Sequence, residues 1–286
     1  MKLIVRADDV GYTKAHNDGT FEAIDNGIVT SVDLMFDTPG TMDALIRMKE
    51  YPWISIGWHA HFWGKPLLDP KDVPSMVNTD GRFKFRKDQS LKKTCSYDDV
   101  LRESRAQIEL CLSVLGRAPD STWIQDTNSN FERARIQVCK EYGIAINFAD
   151  KPDRDGKIIP ALEHYRDLKI YMPNQPATVY RICYHDSYEE RKKYDPVTYY
   201  VNDDDGIMDK EIVLTAWHPG YLDPYVMNES SLTEARVIDV KALTSEEIKD
   251  WVIKNKIELV NTRDALFGTR EYQNHLHIVH SKLEVI

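Results

Sequence analysis

Within its first sixty residues the chain alternates strand, helix, strand, helix, strand, and that alternation limits the fold more than any other feature. Leu3-Ile4-Val5-Arg6-Ala7 is a short apolar run that reads as a buried strand. Thr13 is placed to cap a helix running to Asn26, with Phe21, Ala23 and Ile24 on its inner side and Gly27 as its stop. Ile28 to Phe36 is apolar and β-branched enough for a second strand. Thr41 to Glu50 reads as a helix and Ile54 to Phe62 as a third strand. This order calls for parallel strands joined by crossover helices.

The pattern loosens and then returns. Gly64 to Lys93 holds prolines, Gly81 and many charges, and is expected to run over the surface. Ser96 with Asp99 resembles a capping box opening a helix that Gly116 ends. Ser121 to Gln125 reads as a weak strand, Phe131 to Tyr142 as a helix stopped by Gly143, and Ile144 to Phe148 as a strand. Residues 149 to 206 predict two or three short strands or turns. Ile212 to His218 is a clear strand. Thr244 and Glu247 form a second capping pattern before a helix to Lys254, followed by a strand over Ile257 to Val260. No linker divides the chain. The expectation is an α/β protein with one domain over residues 1–286, a distorted TIM-like (β/α) barrel, which 286 residues fill comfortably.

Composition removes several classes of function. The net charge of −9 opposes a nucleic-acid grip. No run of 18 apolar residues exists to span a membrane. Asp8 and Asp9 stand where a signal peptide needs its apolar stretch. Cys95, Cys111, Cys139 and Cys183 are widely spaced with no CxxC pair, as for free thiols in a reducing compartment, so a cytoplasmic location is expected. GxGxxG, GxxxxGK[ST] and GxSxG motifs are absent.

The residues suited to chemistry sit at predicted strand ends. Asp8 and Asp9 close the first strand, where two buried carboxylates are costly unless a metal or hydrogen bonds satisfy them. Neighbouring strand residues point opposite ways, so one is free to bind a metal while the other acts as a base. An Asp pair that merely opens a turn is the plainer reading. On the third strand, Gly57, His59 and His61 share a face, which makes His59 and His61 a candidate metal pair. Alone, the pair also fits a polar barrel end with one satisfied histidine. His218, before Pro219-Gly220, is expected at the barrel mouth, where imidazole suits proton transfer. By itself a His-Pro-Gly reads more readily as a histidine that hydrogen-bonds its own turn. His275 and His277 repeat the spacing near the C-terminus and are expected on a solvated edge strand. Asn17 is positioned to orient a carboxylate.

Taken in order, these pieces resemble the YdjC/ChbG-like carbohydrate deacetylase family. They are Ala7-Asp8-Asp9-Val10-Gly11-Tyr12, His16-Asn17-Asp18-Gly19, Gly27 to Met35, Gly57-Trp58-His59 with Gly64-Lys65-Pro66, and Trp217 to Asp223 with Arg236 after it. The resemblance implies a distorted (β/α) barrel, a divalent metal ion (magnesium or zinc), and hydrolysis of the acetamide of an acetylated amino sugar such as a chitin oligosaccharide. It implies Asp8 as catalytic base, Asp9 and His59 as metal ligands, His218 as general acid, and Asn17, Tyr221 and Arg236 as substrate-binding residues. The expected partner is an acetylated carbohydrate, with no nucleic acid and no membrane; a homodimer is compatible with it. One departure stands out. Where the family carries an Asp-Ser-His-His-His strand end, this chain has Ile124-Gln125-Asp126-Thr127-Asn128, without a histidine. Asp126 is the substitute ligand this implies, with His61 the alternative, and the expected metal binding is loose. Two rivals are a sugar-binding homologue without turnover and a glycoside hydrolase. The second needs another acid, such as Asp126, because adjacent Asp8 and Asp9 do not flank a glycosidic bond.

Overall fold

The computed structural model of the protein describes every residue except Arg154 and Ile286. Strand β1 (Lys2–Val10) is followed by α1 (Lys14–Asp25), β2 (Ser31–Leu34), α2 (Thr41–Met48) and β3 (Ser55–Trp58). Then come α3 (Tyr97–Leu115), β4 (Ser121–Thr122), α4 (Asn130–Tyr142) and β5 (Ala145–Ile146). A small antiparallel pair, β6 (Lys151–Pro152) and β7 (Ile158–Ile159), precedes β8 (Ile170–Tyr171) and the short helices α5 (Gln175–Thr178), α6 (Tyr188–Arg191) and α7 (Pro196–Val201). The chain ends with β9 (Ile212–Trp217), α8 (Pro224–Glu229), α9 (Glu234–Leu243), α10 (Glu246–Lys254), β10 (Glu258–Leu259), α11 (Thr262–Phe267) and α12 (Glu271–Ile278).

The main sheet is parallel throughout, in the order β5-β4-β3-β2-β1-β9-β8, with β10 beside the start of β1. A single parallel bridge between Asp150 and Tyr171 brings the segment after β5 against β8, so the sheet curls into a distorted (β/α) barrel. Period 2 sorts β1 between two cores. Leu3, Val5 and Ala7 join the large core beneath the helices, and Ile4 joins Leu214, Ala216, Ile170 and Phe148 inside the barrel. Arg6 and Asp8 continue the inward column of Ile4, so the barrel interior turns polar toward the C-terminal strand ends.

Local signals decide the helix ends. Thr13, Ser96 and Ser129 each accept a hydrogen bond from the third residue on, and Gly116 and Gly143 stop their helices in left-handed backbone. The second capping pattern shifts by one residue: Ser245, not Thr244, accepts from Ile248 N. His275 and His277 lie on α12 rather than on an edge strand, because Tyr272 and Leu276 face inward at helical spacing. His275 stacks on Trp53 with 3.6 Å between ring centroids. The excursion after Gly64 is not purely superficial. Val73, Met76, Phe83 and Phe85 are buried, and the two phenylalanines pack with Phe62 and Phe131.

The loop after β9 lies directly on α1. A Cβ at Gly220 would come 2.2 Å from the His16 ring. Gly220→Ala is therefore expected to lower stability by about 2 kcal/mol or more, the scale of an overpacked core. Thermal unfolding checks this; an unchanged Tm would mean that the loop has room to move.

Candidate active site at the C-terminal strand ends

Four parallel strands deliver the polar groups. β1 brings Arg6, Asp8 and Asp9, β2 brings Asp33, the turn after β3 brings His59 and His61, and the end of β9 brings His218. Arg6, Asp8, Asp33, His59, His61 and His218 line one cleft at the end of a barrel where enzymes of this architecture place their chemistry.

The carboxylates of β1 are separated by a backbone irregularity. The pairing of β1 with β2 shifts register between Ala7 and Val10, and Asp9 has left-handed backbone at φ 61°. Asp tolerates that conformation better than most residues, and such strain gathers at functional sites. Arg6 grips Asp8 with two hydrogen bonds, Nε to Oδ1 at 2.6 Å and Nη2 to Oδ2 at 2.9 Å, and its Nε lies 3.4 Å from Asp33 Oδ2. Burial opposes ionisation of Asp8, but Arg6 and His59 outweigh it and hold the carboxyl below its usual range. Asp33 fits only because its partner in register is Gly57, where a Cβ would stand 1.8 Å from Asp33 Oδ1.

Asp9 is held from the other side. Arg236 Nη2 donates to Asp9 Oδ2 at 2.7 Å and keeps the carboxyl ionised against burial. Asp9 Oδ1 faces the histidines, 3.0 Å from His59 Nε2 and 3.6 Å from His61 Nε2. Despite that proximity, Asp9 Oδ1 and His59 Nε2 are both buried without a hydrogen-bond partner. Asp9, His59 and His61 offer three ligand atoms within 4.8 Å of one another. Asp8, Asp33 and His59 form a second such group, and His59 Nδ1 lies 3.5 Å from Asp33 Oδ2. Burial disfavours the His59 imidazolium, but Asp33, Asp9 and Asp8 outweigh it and push the ring up to about 10. Burial lowers His61 well below its usual value, and the neighbouring His59 adds to this. Burial brings His218 down to about 4, although Asp9 and Asp8 pull the other way.

The substrate-binding residues that the resemblance implies are engaged elsewhere. Asn17 is fully buried, accepts from Gly11 N and donates to Gly40 O and Asp43 Oδ2. Its amide braces the turn after β1 and leaves nothing for a ligand. Arg236 is buried under the cleft and spends its guanidinium on Asp9, His16, Leu232 O and Ser230. Tyr221 donates to Glu22 on the outer side of α1. Asp126 is exposed in a turn, where it accepts from Asn128 N, and it belongs to neither donor group among the described residues. It turns away because β4 ends at Thr122, four residues earlier, so no strand aims it inward. Sequence reasoning passed over Arg6 and Asp33. The signal was available: each is a charge inside an otherwise apolar strand run.

A profile of the YdjC-like protein family matches residues 2–254. A protein from Clostridium beijerinckii named carbohydrate deacetylase is 30% identical over 92% of this chain and 100% of its own length. One of the same name from Brevibacillus brevis is 29% identical over 91% and 98%. Among solved structures, a candidate cellobiose-phosphate cleavage protein from Enterococcus faecalis V583 matches with a TM-score of 0.68 and 25% identity, covering 91% of this chain and 97% of that one. The profile match runs from the start of β1 to the end of α10, and on that span the chain belongs to the YdjC-like protein family.

Proposed function

We propose that the chain is a metal-dependent deacetylase that hydrolyses the acetamide of an N-acetylated amino sugar or a chitin-type oligosaccharide. The carrying observation is the convergence of Asp9 Oδ1, His59 Nε2 and His61 Nε2, in which Asp9 and His59 form a buried pair 3.0 Å apart without a well-formed hydrogen bond and a third ligand atom stands beside them. Buried polar atoms gathered this closely without well-formed hydrogen bonds are costly unless a ligand satisfies them. One carboxylate and two imidazoles suit a divalent cation, zinc better than magnesium. Of the two substitute ligands that the resemblance implies, His61 is the one beside Asp9 and His59, and Asp126 lies in an exposed turn. The names of the curated relatives support the sugar amide as substrate. So does half-buried Trp123 on the cleft wall, an aromatic face against which a sugar ring can stack.

Asp9, His59 and His61 would hold a divalent cation, which would polarise the acetyl carbonyl and lower the pKa of the attacking water. Asp8, kept anionic by Arg6, accepts a proton from that water. His218 delivers a proton to the nitrogen as the C–N bond breaks. Asp33 orients His59 from behind, as outer carboxylates do for metal-bound histidines. Residues 1–286 act as one domain in this reading, and the four free cysteines suit a cytoplasmic setting. No described helix is long and apolar enough to cross a membrane.

The test is a screen of the cation-loaded protein over N-acetylated mono- and oligosaccharides, reading acetate and reducing ends together. Acetate without new reducing ends is the expected result. Reducing ends without acetate would make the protein a glycoside hydrolase, and saturable sugar binding with neither product would make it a binding protein.

A further inference from the structure

Helix α9 reaches the site twice. Arg236 and Asp239 lie three residues apart, so they share a face. Arg236 clamps Asp9, and Asp239 serves His218. Asp239 is completely buried, and three donors converge on its carboxylate. Oδ2 accepts from His218 N at 2.8 Å and from the Tyr180 hydroxyl at 3.0 Å, and Oδ1 accepts from the Tyr194 hydroxyl at 2.5 Å. Burial raises this carboxyl to about 7, while the three donors favour its anion.

Tyr180 has one hydrogen to give. If it were turned toward His218, tyrosine and carboxylate lone pairs would face each other at 3.0 Å. Donated to Asp239, it leaves the phenol oxygen as acceptor for His218 Nδ1, 2.9 Å away. The His218 proton then sits on Nδ1, and Nε2, at the opposite edge of the ring, is left to the cleft that His218 and Tyr180 both line.

We propose that Tyr180 and Asp239 are positioning residues that hold His218 as its Nδ1–H tautomer and aim Nε2 at the leaving group. This rests on the deacetylase reading for its catalytic consequence, but not for the tautomer itself. In the reaction, Asp8 takes a proton from the attacking water and passes it to Nε2 within the cleft that both residues line, which returns Asp8 to its anion. Nε2 gives that proton to the amine nitrogen, which receives the electron pair of the breaking C–N bond. The Nδ1 proton stays in place throughout, and His218 ends neutral. Tyr180 and Asp239 steady the imidazolium that exists between the two transfers.

The experiment uses the full chain, loaded with zinc, as wild type, Tyr180→Phe and Asp239→Asn. Nitrogen-15 NMR of the histidine side chains reads the His218 tautomer directly, with His218→Gln assigning the signal. Wild type is expected to show Nδ1 protonated and Nε2 bare. Both variants are expected to move toward a mixture of tautomers. On the sugar found by the acetate screen, kcat is expected to fall about 10²-fold with KM unchanged, the scale of a misaimed catalytic group. Zinc content should not change. Tyr180→Phe keeps the ring and its packing, so it carries the test if Asp239→Asn does not fold. Unchanged His218 signals in Tyr180→Phe, or an unchanged kcat, would overturn the proposal. A wild type that shows the tautomer but releases no acetate would overturn the deacetylase reading alone.

Discussion

Asp9→Ala and His59→Ala each lower the affinity for a divalent cation by at least about 100-fold, more than the loss of an outer-shell partner would cause. His61→Ala does so to a smaller degree. The ranking follows from burial and bracing. Asp9 is locked by Arg236 at 2.7 Å, and His59 is backed by Asp33 at 3.5 Å, so both present their free atoms without further ordering. His61 is more exposed and is held chiefly by a parallel stack on Trp63, with 4.0 Å between centroids, so more ordering is needed when it binds. Titration of the metal-free protein with zinc, together with elemental analysis after dialysis, measures all three. Stoichiometric zinc at unchanged affinity in Asp9→Ala and His59→Ala would place the cation elsewhere. Equal losses in all three variants would mean that His61 is as fully committed as its neighbours. Thr127→His checks the same geometry from the other side. If the turn after β4 faces solvent, as the exposure of Gln125 to Asn128 indicates, the added imidazole leaves zinc affinity unchanged.

Much of this site was legible before any coordinates. Period 2 in β1, β3 and β9 put Asp8, His59 and His218 at strand ends, and parallel order put those ends on one side of a barrel. What escaped was whatever depends on a partner distant in sequence. Arg6 was readable in principle, since it shares an inward column with Asp8 two residues on. Asp239 was not, because nothing in Val237-Ile238-Asp239-Val240 says that α9 packs on α1 and α7 and reaches the loop after β9. Strict alternation also placed His59 and His61 together on a continuing strand. In fact β3 stops at Trp58, and tight turns, with Ala60 N donating to Trp58 O and His61 N to His59 O, carry both rings to Asp9. The grouping survived although its stated cause did not. Asn17 shows a different outcome: it does donate to a carboxylate, but to that of Asp43 on α2, and otherwise it serves the backbone of Gly11 and Gly40.

Asp8→Asn and His218→Ala keep the cation and lose rate, each by about 10²-fold or more, the usual contribution of a proton-transfer group. The amide at position 8 matches the carboxylate in shape and still accepts a hydrogen bond from Arg6, but it takes no proton from water. Arg6 is not left uncompensated, because Asp33 Oδ2 lies 3.4 Å away, so the variant escapes most of the ~3–5 kcal/mol that breaking a buried ion pair costs. His218→Ala removes the cleft's proton donor while Tyr180 and Asp239 remain bonded to each other. The measurement is kcat on the acetamide substrate beside a zinc titration and a thermal melt of each variant. The zinc arm is decisive for Asp8, because His59 belongs to two groups of donors, one with Asp9 and His61 and one with Asp8 and Asp33. Intact zinc affinity with lost rate in Asp8→Asn assigns the cation to the first group and the proton to Asp8. Lost zinc in Asp8→Asn, with retained zinc in His61→Ala, would move the cation to the second group. Arg6, which bonds to both oxygens of Asp8, would then compete with the cation for that carboxylate.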